Sequence, residues 1–165
     1  MRDLAIRDYR EADALDLAQL YHKAVQRGAA GHYSQAQRDA WCNVPPIGAD
    51  WSDRLARADT LVAETTDRAL GFMTLDRSTG HIDLAYVAPE MRGAGLAATL
   101  YAVLEGRARA ARLAQLTSEA SLLAERFFLR HGWQVVARQV VERSGISIPN
   151  ARMVKYLTPN KVAAE

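Results

Sequence analysis

Alternating apolar and polar positions predict strands near both ends of the chain and at its centre. Leu4 and Ile6 alternate with polar neighbours, as in a first strand. Apolar runs at 61–63 and 70–75, separated by a turn-like Thr-Asp-Arg sequence, predict an antiparallel hairpin. The remaining strands are predicted at 81–87, 113–117, 133–141 and 146–157.

Apolar residues at helical spacing predict the elements between these strands. The predicted helices run from about residue 11 to Gly28, from Ser34 to Pro45, over 51–58, over 95–112, and from Ser121 to Gly132. Serine favours helix starts, whereas glycine and proline favour helix ends. Because helices separate the later strands, we expect an α/β sheet of mixed strand direction.

Length and charge indicate one ordinary globular domain over residues 1–165. The chain is 49% hydrophobic and carries 21 Lys+Arg against 19 Asp+Glu, a formal charge of +2. A chain of this length buries about 70% of its unfolded surface in one core. The nearly balanced charge gives no reason to expect a nucleic-acid partner.

Cysteine content and hydropathy favour a cytoplasmic protein. Cys42 is alone, so no internal disulfide is expected. The N-terminus lacks the apolar segment of a signal peptide, and no apolar stretch approaches the roughly 18 residues that span a bilayer. We also expect no metal, since no His, Cys and carboxylate set has ligand spacing.

A glycine-containing loop before the longest helix is the strongest chemical signal. It consists of Arg92, Gly93, Ala94, Gly95, Leu96 and Ala97. Glycine permits close approach of the backbone, and the first N–H groups of a helix lack internal partners at the positive end of its dipole. The loop is therefore expected to bind a diphosphate, with Arg92 adding a contact at its rim.

The same loop also fits a dinucleotide fingerprint. Gly93 and Gly95 match its first two glycines, and Glu119 lies near the spacing of a ribose-binding acid. Against this alternative, the preceding strand ends at Val87, well before Gly93, and a second βαβ half is missing. An oxidoreductase is therefore the less favoured interpretation.

The loop resembles the pyrophosphate loop of the Gcn5-related N-acetyltransferase family, which has the form Gln/Arg-x-x-Gly-x-Gly/Ala. The resemblance extends over most of the chain, through the strand phrase at 81–89, the sequence Ala-Glu-Arg-Phe-Phe at 124–128 and His-Gly-Trp at 131–133. It looks like a bacterial subgroup of that family. The resemblance implies a mixed, mostly antiparallel twisted sheet of about six or seven strands with about four flanking helices.

Family resemblance further implies acetyl-CoA as co-substrate. Its pantetheine arm would lie beside the strand that ends at Val87, where backbone groups near Tyr86 and Val87 would bind it and polarise the acetyl carbonyl. Ser121 and Phe128 occupy positions where many members have Asn and Tyr, which hold CoA and protonate the leaving thiolate. Phe128 has no proton to give, so Tyr33, Tyr86 or solvent would supply it.

A base is needed to deprotonate the amine that attacks a thioester. His81 and Asp83 are the first candidates, since strand alternation places them on one face. Their alternative role is a pair that bonds the turn at residues 79–80. Glu119 is a second candidate base, and its alternative role is an acid at a helix start.

The acceptor site is expected among the N-terminal helices and the last strands. Tyr33, Trp41 and Asn150 are its predicted residues, although such aromatic residues also serve as core. The function predicted is acetyl transfer to a primary amine of a small molecule or peptide, in a ternary complex, with no nucleic acid or membrane partner and with a homodimer left open. The alternative is a non-catalytic acyl-CoA-binding sensor or interaction module.

Overall fold

The computed structural model describes residues 3–66 and 68–157. The strands are β1 (Ala5–Asp8), β2 (Asp59–Thr65), β3 (Arg68–Leu75), β4 (His81–Ile82), β5 (Ala85–Val87), β6 (Gln115–Ala120), β7 (Gln134–Arg143) and β8 (Ile146–Tyr156). The helices are α1 (Ala14–Lys23), α2 (Gln35–Cys42), α3 (Ala49–Arg57), α4 (Leu96–Ala110) and α5 (Leu122–Arg130). A π-helical turn (Ala24–Gly28) continues α1, and a 3-10 turn (Pro89–Met91) follows β5. The expected α/β fold is confirmed.

The strands form two four-stranded sheets that separate between β5 and β6. The first has the order β1-β2-β3-β5 and is antiparallel throughout. The second has the order β4-β6-β8-β7, in which β4 and β6 are parallel and the other pairs antiparallel. The predicted hairpin β2–β3 is present, and the last two predicted strands form a second hairpin, β7–β8.

The single strand expected at 81–87 is divided at Asp83 and Leu84. Two buried hydroxyl groups explain the division, because each bonds a backbone group in this segment. Thr74 Oγ1 accepts the Leu84 N–H at 2.9 Å, while Ser118 Oγ donates to the Ile82 carbonyl at 2.8 Å. The first half of the segment therefore follows β6, the second half follows β3, and a cleft opens between them.

Serine caps fix two helices at their predicted starts. The Ser34 side chain accepts the Gln37 N–H, and the Gln37 side chain bonds back to the Ser34 N–H, a reciprocal capping box. Ser121 Oγ accepts the Ala124 N–H at 3.1 Å and begins α5. These caps place the N-terminus of α5 at the carboxyl end of β6, beside the cleft.

Apolar packing on both faces of β3 holds the cleft open. Met73 belongs to the core shared with α4 and α5, whereas the next residue toward the N-terminus, Phe72, packs with α1 and α3. Gly71 permits close approach of α4, since a Cβ there would lie 3.0 Å from Leu100 and from Val87. β3, the neighbour of the cleft strand β5, is thus packed on both faces.

Candidate active site

The cleft between β5 and β6 contains two adjoining cavities. The larger has a volume of about 480 Å³ and is bordered by the loop at 92–97, and the smaller, of about 130 Å³, lies toward β4 and the β7–β8 hairpin. They share the lining residues Trp41, Ala85, Tyr86, Ser121, Ala124 and Phe128. The shared residues place the two cavities side by side along β5 and the start of α5.

The larger cavity ends at the N-terminus of α4. Gly93 and Gly95 both have φ of +80°, and no atom lies within 4 Å of a Cβ built at either position. Gly95 supplies no side-chain cap, so the first amides of α4 are free to bind an anion. The predicted loop therefore has the geometry of a phosphate cradle, with Ala94, Leu96 and Ala97 in the same turn.

Arg92 connects the two sides of the larger cavity. Its Nη2 donates to the carbonyl of Gly28, the last residue of the π-helical turn after α1. The guanidinium thus lies on the rim of the loop, where the sequence predicts a contact with the diphosphate. Arg130 and His131 also line this cavity and add positive or polar groups to it.

Backbone groups of β5 face the cleft at alternate residues. Ala88 N–H donates to the Leu70 carbonyl at 2.7 Å, and Thr74 N–H donates to the Leu84 carbonyl at 2.9 Å. This alternation makes Phe72 and Tyr86 a hydrogen-bonded pair. The N–H and C=O groups of Ala85 and Val87 consequently point away from β3, into the cleft.

Tyr86 and Val87 therefore contribute different groups to the cleft. Val87 presents backbone groups to the cleft as predicted, whereas the Tyr86 backbone is used in the ladder with β3. Tyr86 instead contributes its ring, which lies 4.7 Å from the ring of Tyr21 between centroids. Burial raises the pKa of the Tyr86 phenol well above its ordinary value.

Aromatic rings form one wall of the smaller cavity, namely Tyr21, Tyr33, Trp41 and Tyr86. The hydroxyl of Tyr33 is fully engaged, since it donates to the Pro149 carbonyl at 2.7 Å and accepts the Leu122 N–H at 2.9 Å. Its ring packs edge-on against Trp41 at 5.5 Å. Tyr33 thus positions α5 and β8, and both predicted aromatic residues border the cavity.

His81 and Asp83 both border the smaller cavity, but they have different partners. His81 Nδ1 lies 3.0 Å from the hydroxyl oxygen of Thr117, which leaves Nε2 without a partner among the described residues. Asp83 instead receives two hydrogen bonds from Arg54, at 2.6 and 2.8 Å. Neither side chain bonds the turn at residues 79–80.

Arg54 determines the protonation of Asp83. Partial burial raises the pKa of Asp83, but the hydrogen bonds and charge of Arg54 outweigh it, with smaller contributions from His81 and Arg143. The pKa of Asp83 is therefore below its ordinary value. Glu119 also lines the smaller cavity, on exposed sheet surface opposite Arg152.

The β7–β8 hairpin supplies the far wall of the smaller cavity. Val141 lies opposite Ile148, and Arg143 lies opposite Ile146 at the hairpin tip. Asn150 occupies the same face, and its Oδ1 is buried without a hydrogen-bond partner. The hairpin therefore brings a cation and an unpaired polar atom to the cavity.

Ser121 and Phe128 lie where the two cavities meet. Ser121 is the N-cap of α5, and its hydroxyl keeps a proton available for donation into the cleft. Phe128 is 1% exposed and packs against the Trp133 ring, with 4.3 Å between centroids. Tyr21, Arg54 and Arg143 also line the smaller cavity, and none of them was predicted as a site residue from the sequence. Alternation along the hairpin could have placed Arg143 on the face of Asn150, but no local signal indicates Arg54.

Residues 3–66 and 68–157 contain neither a candidate membrane-spanning helix nor a candidate metal site. None of the helices there has the length and apolar content to cross a membrane. No group of three or more His, Cys, Asp and Glu side chains in those ranges is arranged to hold a metal ion.

Cys42 is buried, and burial raises the pKa of its thiol to about 11.

Comparison with known proteins identifies the family. Residues 29–156 match the family model described as the acetyltransferase (GNAT) domain. The chain is 32% identical over 153 residues to the uncharacterized N-acetyltransferase YafP of Escherichia coli K12, covering 93% of this chain and 96% of that one.

Solved structures agree with this match. The structure titled GCN5-related N-acetyltransferase: aminotransferase, class-II from Rhodopseudomonas palustris superimposes with a TM-score of 0.87 at 32% identity, covering 95% of this chain and 98% of that one. The putative acetyltransferase yncA of Salmonella typhimurium, solved with acetyl-CoA, superimposes with a TM-score of 0.69 at 19% identity over 94% and 95%. The chain therefore belongs to the GNAT family of N-acetyltransferases and is an acyltransferase.

Proposed function

We propose that this protein transfers the acetyl group of acetyl-CoA to the primary amine of a small acceptor by direct attack in a ternary complex. The observation that carries the proposal is the open edge of β5, which connects the phosphate cradle of α4 to the smaller cavity. We further propose that residues 1–165 form one N-acetyltransferase domain, supported by the family match over residues 29–156. A cytoplasmic location and a homodimer stay predictions from the sequence.

The larger cavity suits acetyl-CoA as the donor. Its two glycines and the free amides of α4 would hold the diphosphate, with Arg92 at the rim. The backbone groups of Ala85 and the Val87 carbonyl would pair with the pantetheine amides as a neighbouring strand does, which leaves the Val87 N–H for the acetyl group. Acetyl-CoA is present in the yncA structure, which has the same fold.

The dinucleotide alternative does not fit this arrangement. β5 ends at Val87, a 3-10 turn covers Pro89–Met91, and α4 begins only at Leu96. A dinucleotide turn joins its strand to its helix almost directly, within a parallel sheet. β5 instead pairs antiparallel to β3.

Acetyl transfer would then proceed with a balanced movement of atoms. The neutral amine nitrogen attacks the acetyl carbonyl carbon, the carbon–sulfur bond breaks, and CoA leaves as the thiolate. The Val87 N–H would donate to the carbonyl oxygen as negative charge develops there. The proton lost by the amine goes to the enzyme base, and the thiolate takes a proton from solvent.

We assign His81 as the base that accepts the amine proton. Its Nδ1 contact with Thr117 orients the ring, and in the tautomer whose Nδ1–H donates to the Thr117 hydroxyl oxygen, Nε2 can accept a proton. Asp83 is the weaker candidate, because its ion pair with Arg54 lowers its pKa and so its proton affinity. Asp83 would instead stabilise the incoming ammonium, while Glu119 would act only through water.

Solvent is the favoured source of the proton for the thiolate. The Tyr33 proton is already donated to the Pro149 carbonyl. Tyr86 is buried, with a pKa raised well above its ordinary value, which makes its phenol a poor acid. Protonation of a thiolate near neutral pH needs no strong acid, because the ordinary thiol pKa is about 8.5.

Thermal unfolding with acetyl-CoA, CoA and NAD tests the donor site first. At a hundredfold excess over Kd, binding adds about 2.7 kcal/mol, and the midpoint should rise by roughly 5 to 10 °C with acetyl-CoA but not with NAD. Gly93→Asp should abolish the rise because its charge repels the diphosphate, whereas Gly93→Asn, of equal size and tolerant of positive φ, should keep it.

Release of CoA thiol in the presence of an amine panel then tests catalysis. Turnover would support the enzyme, and a rise in midpoint without turnover of any amine would favour the acyl-CoA-binding sensor. No rise with either CoA species, or a rise with NAD alone, would contradict the donor assignment itself.

A further inference from the structure

We infer that the acceptor is a small amino acid, whose amine faces His81 and whose free carboxylate binds Arg143 at the tip of the β7–β8 hairpin. This inference rests on the proposed function and specifies its substrate class. It begins from the charges of the smaller cavity, which holds two cations, Arg54 and Arg143, and two anions, Asp83 and Glu119.

The two arginines are not equivalent. Arg54 is neutralised by its two hydrogen bonds to Asp83. Arg143 lines the same cavity but forms no ion pair or hydrogen bond within the described part of the chain. A guanidinium in that position is a ready partner for a planar carboxylate, which it can bind through two parallel N–H groups.

Hairpin geometry fixes where the Arg143 charge lies. Ser144 and Gly145 both have positive φ, of 49° and 74°, and form the tight two-residue turn that pairs Arg143 with Ile146. The side chain therefore leaves the sheet on the face of Val141 and Asn150. Its positive charge contributes to the lowered pKa of Asp83. The same charge acts to lower the pKa of Tyr21, although burial raises that pKa by more.

Polar groups for an ammonium lie both on the strand segment at 81–87 and on the hairpin beside Arg143. Asp83 offers a carboxylate that stays ionised, and His81 offers Nε2. Oδ1 of Asn150 is buried without a partner and can accept a further N–H, so an acceptor bound there would satisfy it. One molecule that carries both an amine and a carboxylate therefore matches these groups and Arg143.

The charge arrangement also selects against other amines. A polyamine or a polycationic antibiotic has no carboxylate for Arg143, and the unpaired charge of Arg143 would repel its additional ammonium groups. A peptide N-terminus or a protein lysine carries no carboxylate beside its amine. The volume of about 130 Å³ is close to that of a cavity that binds benzene, about 150 Å³, and suits an acceptor of the size of a small amino acid.

Matched acceptors test the inference directly. Free L-amino acids are compared with their amides and their decarboxylated amines, for instance valine with valinamide and isobutylamine, by CoA thiol release. We expect the free acids to exceed their amides in kcat/KM by at least about tenfold, as a charge-assisted contact predicts. Equal or higher kcat/KM for the amides would overturn the inference.

The variant Arg143→Gln tests whether Arg143 causes the preference for free acids over amides. Arg143→Gln should lower kcat/KM for the acids by about ten- to a hundredfold, chiefly through KM, and bring the ratio of acid to amide toward one. The matched control is Arg57→Gln, an exposed arginine in α3 that bonds only the Asp53 carbonyl of its own helix and should keep the wild-type ratio. An unchanged ratio in Arg143→Gln would refute the assignment.

Binding separates failure of this inference from failure of the proposed function. If no amine is acetylated although acetyl-CoA binds, the proposed function fails. The same acids and amides are then titrated into the CoA-loaded protein by calorimetry. Tighter binding of the acids, lost in Arg143→Gln, would support the carboxylate site, and equal or absent binding would refute it.

Discussion

Arg54 Nε donates to Asp83 Oδ2 at 2.6 Å, and Arg54 Nη2 donates to Asp83 Oδ1 at 2.8 Å. This bidentate pair joins the last turn of α3 to the point where the strand segment at 81–87 divides. Both side chains are partly exposed, with 41% and 44% of their surface accessible, so the pair adds little stability. Its main consequence is chemical, because it holds as an anion the carboxylate that the sequence pairs with His81.

Substitution of His81 and Asp83 should therefore have unequal effects. We expect His81→Ala to lower kcat by about 10²- to 10⁴-fold through loss of the base, and Asp83→Asn to lower it by less than about tenfold, with the larger change in KM. Because the pKa of Asp83 is lowered, Asp83 is ionised throughout pH 6 to 9, and Asp83→Asn should remove no ionisation from the pH profile in that range. Steady-state kinetics over that range measure both effects.

His32→Ala is the control for His81, since His32 borders neither cavity. If Asp83→Asn lowered kcat as much as His81→Ala, or if both variants kept the wild-type kcat, His81 would not be the base.

Gly80 places His81 beside β6, and a side chain there should disrupt the site. Gly80 has φ of +79°, and its Cβ would lie 2.2 Å from the backbone carbonyl oxygen of Gln115. Since the Gly80 carbonyl also accepts the Thr117 N–H at 3.0 Å, relief of this clash must move β4 from β6. We expect Gly80→Ala to lower the free energy of unfolding by at least about 1–3 kcal/mol.

Gly106 provides the comparison for Gly80. It lies on the exposed face of α4, and a Cβ there would meet no atom within 4 Å. Gly106→Ala should raise the free energy of unfolding by about 0.5–1 kcal/mol through helix propensity. Urea unfolding of both variants measures the difference, and equal effects would refute the steric argument at Gly80.

Local signals predicted the elements and the phosphate loop. The Ser34 and Ser121 caps, both hairpins and the glycine loop before α4 depend on residues close together in the chain, and each lies where the sequence indicated. The loop needs only positive φ at two glycines and the free amides of a helix start. A site formed by backbone groups can therefore be predicted from the sequence when the residues that form it are adjacent in the chain.

Contacts between distant residues account for what the sequence did not reveal. The division of the segment at 81–87 depends on the hydroxyls of Thr74 and Ser118, and the state of Asp83 depends on Arg54, 29 positions away. Periodicity describes which face a side chain occupies, not which partner reaches it from another element. The acceptor side of the cleft is built from such partners, so its charges became apparent only in three dimensions.

Cys42 should be unreactive in the folded protein. Burial raises the pKa of its thiol to about 11, so about one thiol in a thousand is ionised at pH 8. We expect no measurable reaction of the native protein with a disulfide reagent during an assay, and complete reaction of one thiol in denaturant. Rapid modification of the native protein would show that Cys42 is accessible. Cys42→Ala should keep the rate of acetyl transfer.

A partly buried cation near the N-terminus should make stability depend on acidic pH. Arg7 donates two hydrogen bonds of 2.8 Å to Asp13 and two of 2.7 Å to Glu64, and these bonds lower the pKa of both carboxyls. A lowered pKa in the folded state stabilises the protein above the unfolded pKa, and this contribution is lost as pH falls through the folded value. Stability should therefore fall from about pH 5 downward.

Arg7→Gln isolates this contribution. The variant should already be less stable at pH 7, and its free energy of unfolding, from urea titrations between pH 7 and 3, should vary less with pH than that of the wild type. Arg68→Gln is the control, because the pair of Arg68 with Glu90 is about half exposed on both sides and adds little. Equal pH slopes for Arg7→Gln and the wild type would contradict the assignment.

Removal of the Tyr33 hydroxyl should lower the free energy of unfolding and raise KM for the acceptor. Tyr33 is 4% exposed, and Tyr33→Phe removes its bonds to the Pro149 carbonyl and the Leu122 N–H. Leaving these buried groups without a partner should cost about 1–3 kcal/mol in the free energy of unfolding. Because the first bond holds β8 beside Asn150 and the second holds α5 beside Ser121, KM for the acceptor should rise more than KM for acetyl-CoA.

Tyr156→Phe is the control for Tyr33→Phe. Tyr156 is 66% exposed, so this variant should change neither the free energy of unfolding nor KM for the acceptor. If Tyr33→Phe lost stability but kept both KM values, Tyr33 would be a residue of the core and not one that positions the acceptor site.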